Sequence, residues 1–296
     1  MYRSCCFFLA LALVQPTVLH SMDSLAQIRS MQGVYRQLSS VPSQDKPLLA
    51  MSFQQKAEQH KVRQEFLKAA SAYRKAYAVS PNLEVLLEIG KSYLGAQRFR
   101  DARIQLKEFL RQFNPVRDSA GLEMEGKSQL KIACEKLARK YTAMSLWSRS
   151  TRFYKEAADL AQDPHEKLTL IQASQRDSFR LGTFYYSQKN FMPAAKRFLS
   201  ALDSNTSEEL RKKVQRIATT LFINAGKHLE SLDKFEEAYP YYEAISRFFT
   251  KQSAVRYAQQ RMKAIEEIRL RVFNEQSLER SEPVLQNRPP DWLLRE

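Results

Sequence analysis

The feature that most restricts the fold is a set of small, aliphatic and aromatic residues that recurs along the chain at similar spacings. In residues 87–115, Gly90 and Tyr93 lie on one face of a predicted helix. Ala102, Leu106 and Phe109 lie on one face of the helix that follows. The small residue of the first helix recurs at Ala57, Gly90, Ala138, Gly182 and Gly226. Because self-similarity at such a period indicates stacked helix pairs, the sequence predicts an all-α array.

These residues resemble the tetratricopeptide repeat, a hairpin with a Gly or Ala and a Tyr in its first helix and Ala and an aromatic residue in its second. The resemblance covers residues 50–252 and implies a right-handed α-solenoid. The implied repeats are residues 50–82, 83–116, 131–164, 175–208 and 219–252. The small residues are 33, 48, 44 and 44 positions apart, and the extra residues have helical composition. We therefore expect extended first helices in the C-terminal repeats.

The segments that flank the repeats are predicted from their composition. Residues 22–49 are expected to form an N-terminal helix and linker, and residues 253–276 a capping helix. Residues 277–296 are polar and rich in Pro, which is typical of disorder, and Trp292, Leu293 and Leu294 offer a docking peptide as the alternative. Within the last repeat, Asp233 and Glu236 predict a capping box that opens the second helix.

Residues 1–21 have the layout of an export signal. Arg3 precedes an apolar run over residues 5–14 that is too short to span a bilayer, and small and polar residues follow. This predicts a periplasmic or secreted protein, with a buried or membrane-anchoring segment as the alternative. Removal of the segment would leave Cys134 as the one cysteine, so no disulfide framework is expected.

The formal net charge is +15, from 47 Lys and Arg against 32 Asp and Glu. This balance favours acidic proteins, anionic polymers or membrane surfaces as partners. No run of five or six cations occurs, so nucleic acid is not the favoured partner and any membrane association is expected to be peripheral. We expect a protein or peptide partner, acidic in character, and no small-molecule substrate.

Residues 121–128, GLEMEGKS, match the phosphate-loop pattern at Gly121, Gly126, Lys127 and Ser128. A phosphate loop follows a buried β-strand, and no run of β-branched residues precedes Gly121. Two glutamates within the pattern would oppose the charge of a phosphate. The pattern is therefore interpreted as a connection between repeats in which the glycines end one helix and Lys127 or Ser128 opens the next.

No catalytic or metal-binding set is predicted. The four histidines are scattered along the chain, with no i, i+4 pair and no neighbouring cysteine: His20, His60, His165 and His228. No G-x-S-x-G pattern occurs, and no pair of acidic residues suits acid-base chemistry. We expect no enzyme activity, no metal and no cofactor.

The resemblance implies a partner-binding groove along the first helices. The position after the packing Gly or Ala faces that groove in the family, and it is Lys91, Arg139 and Lys227 in three of the repeats. Arg176, Phe179 and Tyr186 belong to the same implied face. Cations beside aromatic rings suit an acidic peptide or a terminal carboxylate.

The function expected from these features is that of an exported scaffold or assembly factor that binds proteins in the cell envelope. The alternative is a protein that binds an anionic polymer, either an envelope polysaccharide or nucleic acid, through its basic surface. A nucleotide hydrolase is the third alternative.

Overall fold

The computed structural model describes residues 42–281, and the side chains of residues 42–274. Within that part the chain forms eleven helices and no strands, which confirms the all-α prediction. The helices are α1 (Lys46–Val62), α2 (Phe66–Val79), α3 (Leu83–Gly95), α4 (Phe99–Gln112), α5 (Ala120–Ala143), α6 (Trp147–Leu160), α7 (Pro164–Ser187), α8 (Phe191–Ser200), α9 (Glu208–Glu230), α10 (Phe235–Phe248) and α11 (Gln252–Ser281). The predicted export signal, the residues up to 41 and the tail from 282, with Trp292, lie outside the described residues.

Ten of these helices form five hairpins, α1–α2 to α9–α10, and the five turns have one geometry. Each turn contains a residue other than glycine with a positive φ: Gln64, Gln97, Ser145, Lys189 and Asp233. In the second hairpin, the N–H of Gln97 donates to Leu94 O at 2.9 Å and the N–H of Arg98 donates to Tyr93 O at 2.9 Å. This is the Schellman pattern, which satisfies the last carbonyl groups of the first helix.

The capping box predicted from Asp233 and Glu236 is wrong. Asp233 has a φ of 54° and ends α9, because its N–H donates to Glu230 O at 2.9 Å. The N-cap of α10 is Lys234, and no side chain bonds to the free N–H groups there. The backbone conformation that ends one helix leaves Asp233 out of position to cap the next.

The hairpins close on their small residues. A Cβ added to Gly90 would lie 2.6 Å from Leu106, and one added to Gly182 would lie 2.9 Å from Phe198. One added to Gly226 would lie 2.4 Å from Tyr242. In each hairpin the large residue follows the small one by 16 positions, and all three large residues are fully buried. The two helices therefore approach closely only where the first one has no side chain.

The extra residues of the later hairpins lengthen their first helices, as expected. The helices α5, α7 and α9 have 24, 24 and 23 residues, whereas α1 and α3 have 17 and 13. Side chains cap α7 and α9: Asp163 accepts from the N–H of Glu166 at 3.0 Å, and Ser207 accepts from the N–H of Leu210 at 3.4 Å. Asn82 caps α3 in the same way, whereas Asp45 at the start of α1 makes no such bond and the second helices start directly after the turns without a side-chain cap.

Two boundaries differ from the predictions. Helix α1 begins at Lys46, inside the segment predicted to be a linker, with Pro47 in its first turn, where a proline is tolerated. Helix α11 continues to Ser281, so residues 277–281 are helical and not part of a disordered tail. Among the helices of residues 42–281, none combines the length and apolar composition that a membrane span requires.

The described residues divide into two compact units, 42–137 and 138–281, with the division inside α5. In the first unit, Leu86, Ile89, Leu106 and Phe109 form the fully buried centre. In the second unit, one apolar cluster joins the helices from α8 to α11, with Phe198, Phe222, Tyr242 and Ile265 completely buried. Each unit is thus held by packing between helices that follow one another in sequence.

Candidate functional site

Helix α8 is the irregular element of the second unit. It has 10 residues, whereas α2, α4, α6 and α10 each have 14. Residues 201–207 form a turn instead of continuing the helix. The buried Thr206 stabilises this turn, because its Oγ1 donates to Ala201 O at 3.2 Å and accepts from the N–H of Asp203 at 2.7 Å. At 1.5 Å per residue, α8 is about 6 Å shorter than the other second helices and covers less of α9.

An open cavity of about 700 Å³ lies beside this short helix. It is lined by the end of α7, the start of α8 and one face of α9, through Tyr186, Phe191, Met192, Arg216, Ile217, Thr220, Leu221, Asn224, Ala225 and His228. We name these ten residues the α8–α9 groove. Its volume is in the range of pockets that hold small molecules or peptide side chains.

One wall of the α8–α9 groove is polar. Arg216, Thr220, Asn224 and His228 are spaced four residues apart and therefore form one stripe along α9. All four are exposed, and none of their side chains makes a hydrogen bond or ion pair within the described residues. The stripe offers a guanidinium group, a hydroxyl group, a carboxamide and an imidazole to a ligand.

The opposite wall is apolar and aromatic. The rings of Tyr186 and Phe191 meet edge to face at 5.8 Å and remain 42% and 51% exposed. An aromatic residue begins the second helix of every hairpin: Phe66, Phe99, Trp147, Phe191 and Phe235. Phe66 packs against Gly95 of the following first helix, where an added Cβ would lie 2.6 Å away. Phe191 is the most exposed of the five, and the groove occupies the space beside it.

The predicted groove residue Lys91 is already paired within the first unit. Its Nζ lies 2.7 Å from Glu88 Oε1 and also contacts Glu125 of α5. Glu88 binds Lys61 of α1 through its other oxygen, at 2.6 Å. We name Glu58, Lys61, Glu88, Lys91 and Glu125 the charge ladder, because Glu58 lies 3.4 Å from Lys61 and completes the row.

The charge ladder shifts the protonation equilibria of its members. Burial by itself would raise the pKa of Glu88, but the hydrogen bonds and charges of Lys61 and Lys91 outweigh it, so the pKa of Glu88 lies below its ordinary value. Burial by itself would lower the pKa of Lys91, but Glu125 and Glu88 outweigh it and raise that pKa. With three acids and two lysines, this face of the first unit is not the basic surface that Lys91 suggested.

The other five predicted residues lie in the second unit and have different surroundings. Arg139 and Arg176 are exposed on α5 and α7. Phe179 packs against the buried ring of Phe198, with 5.6 Å between centroids, so it belongs to the hairpin core. Lys227 lies over the ring of Tyr257 on α11, with its Nζ 5.3 Å from the centroid. Tyr186 is the one predicted residue that lines the α8–α9 groove.

The polar stripe of α9 was not predicted from the sequence. The position after each packing glycine selects Lys227 and passes over its neighbours. The four-residue spacing of Arg216, Thr220, Asn224 and His228 within one predicted helix was the signal that could have found the stripe.

The phosphate-loop pattern forms no loop, and its interpretation as a connection between repeats is wrong. All of residues 121–128 lie within α5. Lys127 pairs with Glu123 one turn earlier, at 2.6 Å. Gly126 is buried against Phe109, where an added Cβ would lie 2.2 Å from the ring. This glycine therefore allows close helix packing.

In residues 42–281, no group of three or more His, Cys, Asp or Glu side chains lies together as a metal site would require. Cys134 is a fully buried thiol on α5 that forms no disulfide within the described residues.

No protein-family model and no curated relative matches the sequence. Among solved structures, BtubC (BKLC) from P. vanneervenii is similar, with a TM-score of 0.24 and 17% identity over 82% of this chain and 90% of that chain. A TM-score this low supports no inference about this chain.

Proposed function

We propose that the chain is a binding protein built as a right-handed, tetratricopeptide-like solenoid, and that it holds a segment of another protein in the α8–α9 groove. The solenoid is supported by the register that the five hairpins share. In each, the positive-φ residue, the aromatic residue and the large buried residue follow the small residue by 7, 9 and 16 positions. A shared register suits units that stack on one another.

The observation on which the proposal rests is the composition of the α8–α9 groove. An exposed aromatic pair faces a stripe of polar side chains that have no partner within the described residues. The guanidinium group of Arg216 suits a carboxylate, and the carboxamide of Asn224 can both donate to and accept from a peptide backbone. The ligand that fits is a peptide segment with an apolar anchor beside an acidic group.

We further propose that this binding serves a scaffold or assembly role in the cell envelope. The support is the export-signal layout of residues 1–21, together with the groove, which suits a peptide ligand. The basic surface of the chain is the basis of the alternative, an anionic polymer as partner.

The test introduces a photoreactive amino acid at Asn224 in the cells that make the protein. We expect one discrete crosslinked product in the parent. In Thr220→Trp the indole ring would fill the groove, and we expect at least a tenfold loss of that product. The matched control is Thr169→Trp, at an exposed threonine of α7, which should leave the product unchanged. A product that persists in Thr220→Trp, or that never forms, would contradict the proposal.

A further inference from the structure

A second surface lies at the ends of the third and fourth hairpins, separate from the polar stripe of α9. The α5–α6 turn exposes Met144 and Leu146, which are 56% and 38% accessible. Trp147, which begins α6, contacts Phe184 of α7 with 6.1 Å between ring centroids, and Phe184 is 47% accessible. We name Met144, Leu146, Trp147 and Phe184 the hairpin edge.

The chain around the hairpin edge is strongly basic. Residues 139–155 contain no Asp or Glu, and their cations are Arg139, Lys140, Arg149, Arg152 and Lys155. Residues 178–202 also contain no Asp or Glu, and their cations are Arg180, Lys189, Lys196 and Arg197. Asp177, which precedes the second segment, is buried and bonded to Ser150 and Arg180, so it adds no exposed negative charge.

Two of these cations flank the hairpin edge closely. Lys140 lies at the end of α5, four residues before Met144. Lys189 lies in the connection between α7 and α8, and both lysines are exposed. Exposed Met, Leu and Phe side chains beside a half-buried Trp, with Lys and Arg around them, are the composition of segments that lie in the lipid headgroup region. A turn between two helices also presents its apolar side chains outward, where they can enter a flat interface.

We propose that the hairpin edge docks on the surface of an anionic phospholipid bilayer, with Met144 and Leu146 inserted among the headgroups and Lys140 and Lys189 beside the lipid phosphates. The inserted residues, Met144 and Leu146, have no ring on which a base could stack, and the rings of Trp147 and Phe184 contact each other, so the hairpin edge suits lipid better than single-stranded nucleic acid. This docking goes beyond the proposed peptide binding, because it uses neither Arg216 nor the rest of the polar stripe.

The test is co-sedimentation of the full chain with vesicles of phosphatidylcholine alone or with 30% phosphatidylglycerol. We expect the partition coefficient to be at least tenfold higher with the anionic lipid. Each cation near an anionic surface contributes roughly a fivefold change in partition, so Lys140→Glu with Lys189→Glu should lose at least about tenfold. Met144→Ser with Leu146→Ser should lose about tenfold through lost apolar contact.

Matched controls lie in the first unit. Lys46→Glu with Lys56→Glu, and Leu67→Ser with Ile104→Ser, change residues of the same types, all exposed except the half-buried Lys46, and should stay within twofold of the parent. Thr220→Trp should also bind vesicles as the parent does, which separates this proposal from the proposed function. Circular dichroism checks that each variant remains folded.

Several results would overturn the proposal. These are equal binding to both kinds of vesicle, no vesicle binding by the parent, parent-like binding by a folded hairpin-edge variant, and equal losses in the controls. Binding of an oligouridylate without binding to vesicles would overturn it in favour of nucleic acid.

Discussion

Glu88 bonds to two lysines from different helices at the centre of the charge ladder. Its Oε2 lies 2.6 Å from Lys61 of α1, and its Oε1 lies 2.7 Å from Lys91 of its own helix. From the sequence alone, Lys91 was assigned to partner binding. Spacing along one helix does not show that Glu88 bonds to Lys61, 27 residues earlier, or that Lys91 contacts Glu125 of α5. Partner-binding cations are therefore better sought among residues that have no acid nearby in the fold.

Glu88→Gln is expected to lower the free energy of unfolding by about 1–3 kcal/mol at pH 7, because both lysines lose a charged acceptor. The pKa of Glu88 is lower in the folded chain than its ordinary value of 4.5. Its contribution is therefore fully present above the unfolded pKa and is lost as the pH falls through the folded pKa. Urea denaturation between pH 7 and pH 3 should show the difference between parent and variant shrinking below about pH 4.5.

Glu84→Gln, at an exposed acid of the same helix, is the control and should cost less than about 0.5 kcal/mol at pH 7. A difference between the parent and Glu88→Gln that does not change with pH would show that the charge of Glu88 has no stabilising role.

The helix hairpins were predictable from the sequence because their packing depends on residue size. Ala57, Gly90, Gly182 and Gly226 were identified by spacing, and all are buried. The helix predicted from Ala102, Leu106 and Phe109 is α4, in which all three residues are buried. The error at GLEMEGKS has a physical cause. Glycine often ends helices, but Gly126 lies inside α5, where a glycine is needed because Phe109 leaves no room for a side chain.

Each of the five turns places a residue other than glycine at a positive φ, so the five share the same backbone strain. Gln97 has a φ of 57°, a conformation that costs residues with a Cβ about 1–2 kcal/mol. Gln97→Gly should therefore raise the free energy of unfolding by about 0.5–1 kcal/mol, the gain being reduced by the greater freedom of glycine in the unfolded chain. The urea midpoint measures this change.

Gln55→Gly is the matched control, at an exposed position within α1, and should lower stability by about 1 kcal/mol. A loss of stability in Gln97→Gly similar to that of the control would mean that the turn has another backbone conformation.

The α8–α9 groove was less predictable than the hairpins, because it arises where the repeat fails. The bond from Thr206 to Ala201 and the short α8 depend on a local turn that no helical periodicity predicts. Phe191 occupies the same register position as Trp147, and sequence alone does not show that one is more exposed than the other.

At the scale of the whole molecule, both units share in the charge of +15: residues 42–137 carry 17 Lys and Arg against 11 Asp and Glu, and residues 138–281 carry 25 against 17. The charge ladder pairs acids with lysines in the first unit. In the second unit, residues 139–155 and 178–202 are basic without any acid, and Arg216 adds an unpaired cation on α9. The α8–α9 groove and the hairpin edge are therefore flanked by basic stretches of the second unit that contain no acid.

We propose that the α8–α9 groove selects a peptide with an apolar anchor beside an acid. The most direct measurement is selection of a random peptide library on the parent and on Arg216→Glu, with both proteins checked for folding. On the parent, enriched peptides should combine a large apolar residue with Asp or Glu. On Arg216→Glu, the apolar residue should remain and the acid should be replaced by Lys or Arg, because the charge of the wall is reversed. The same enriched peptides on both proteins, or no enrichment on the parent, would contradict the account.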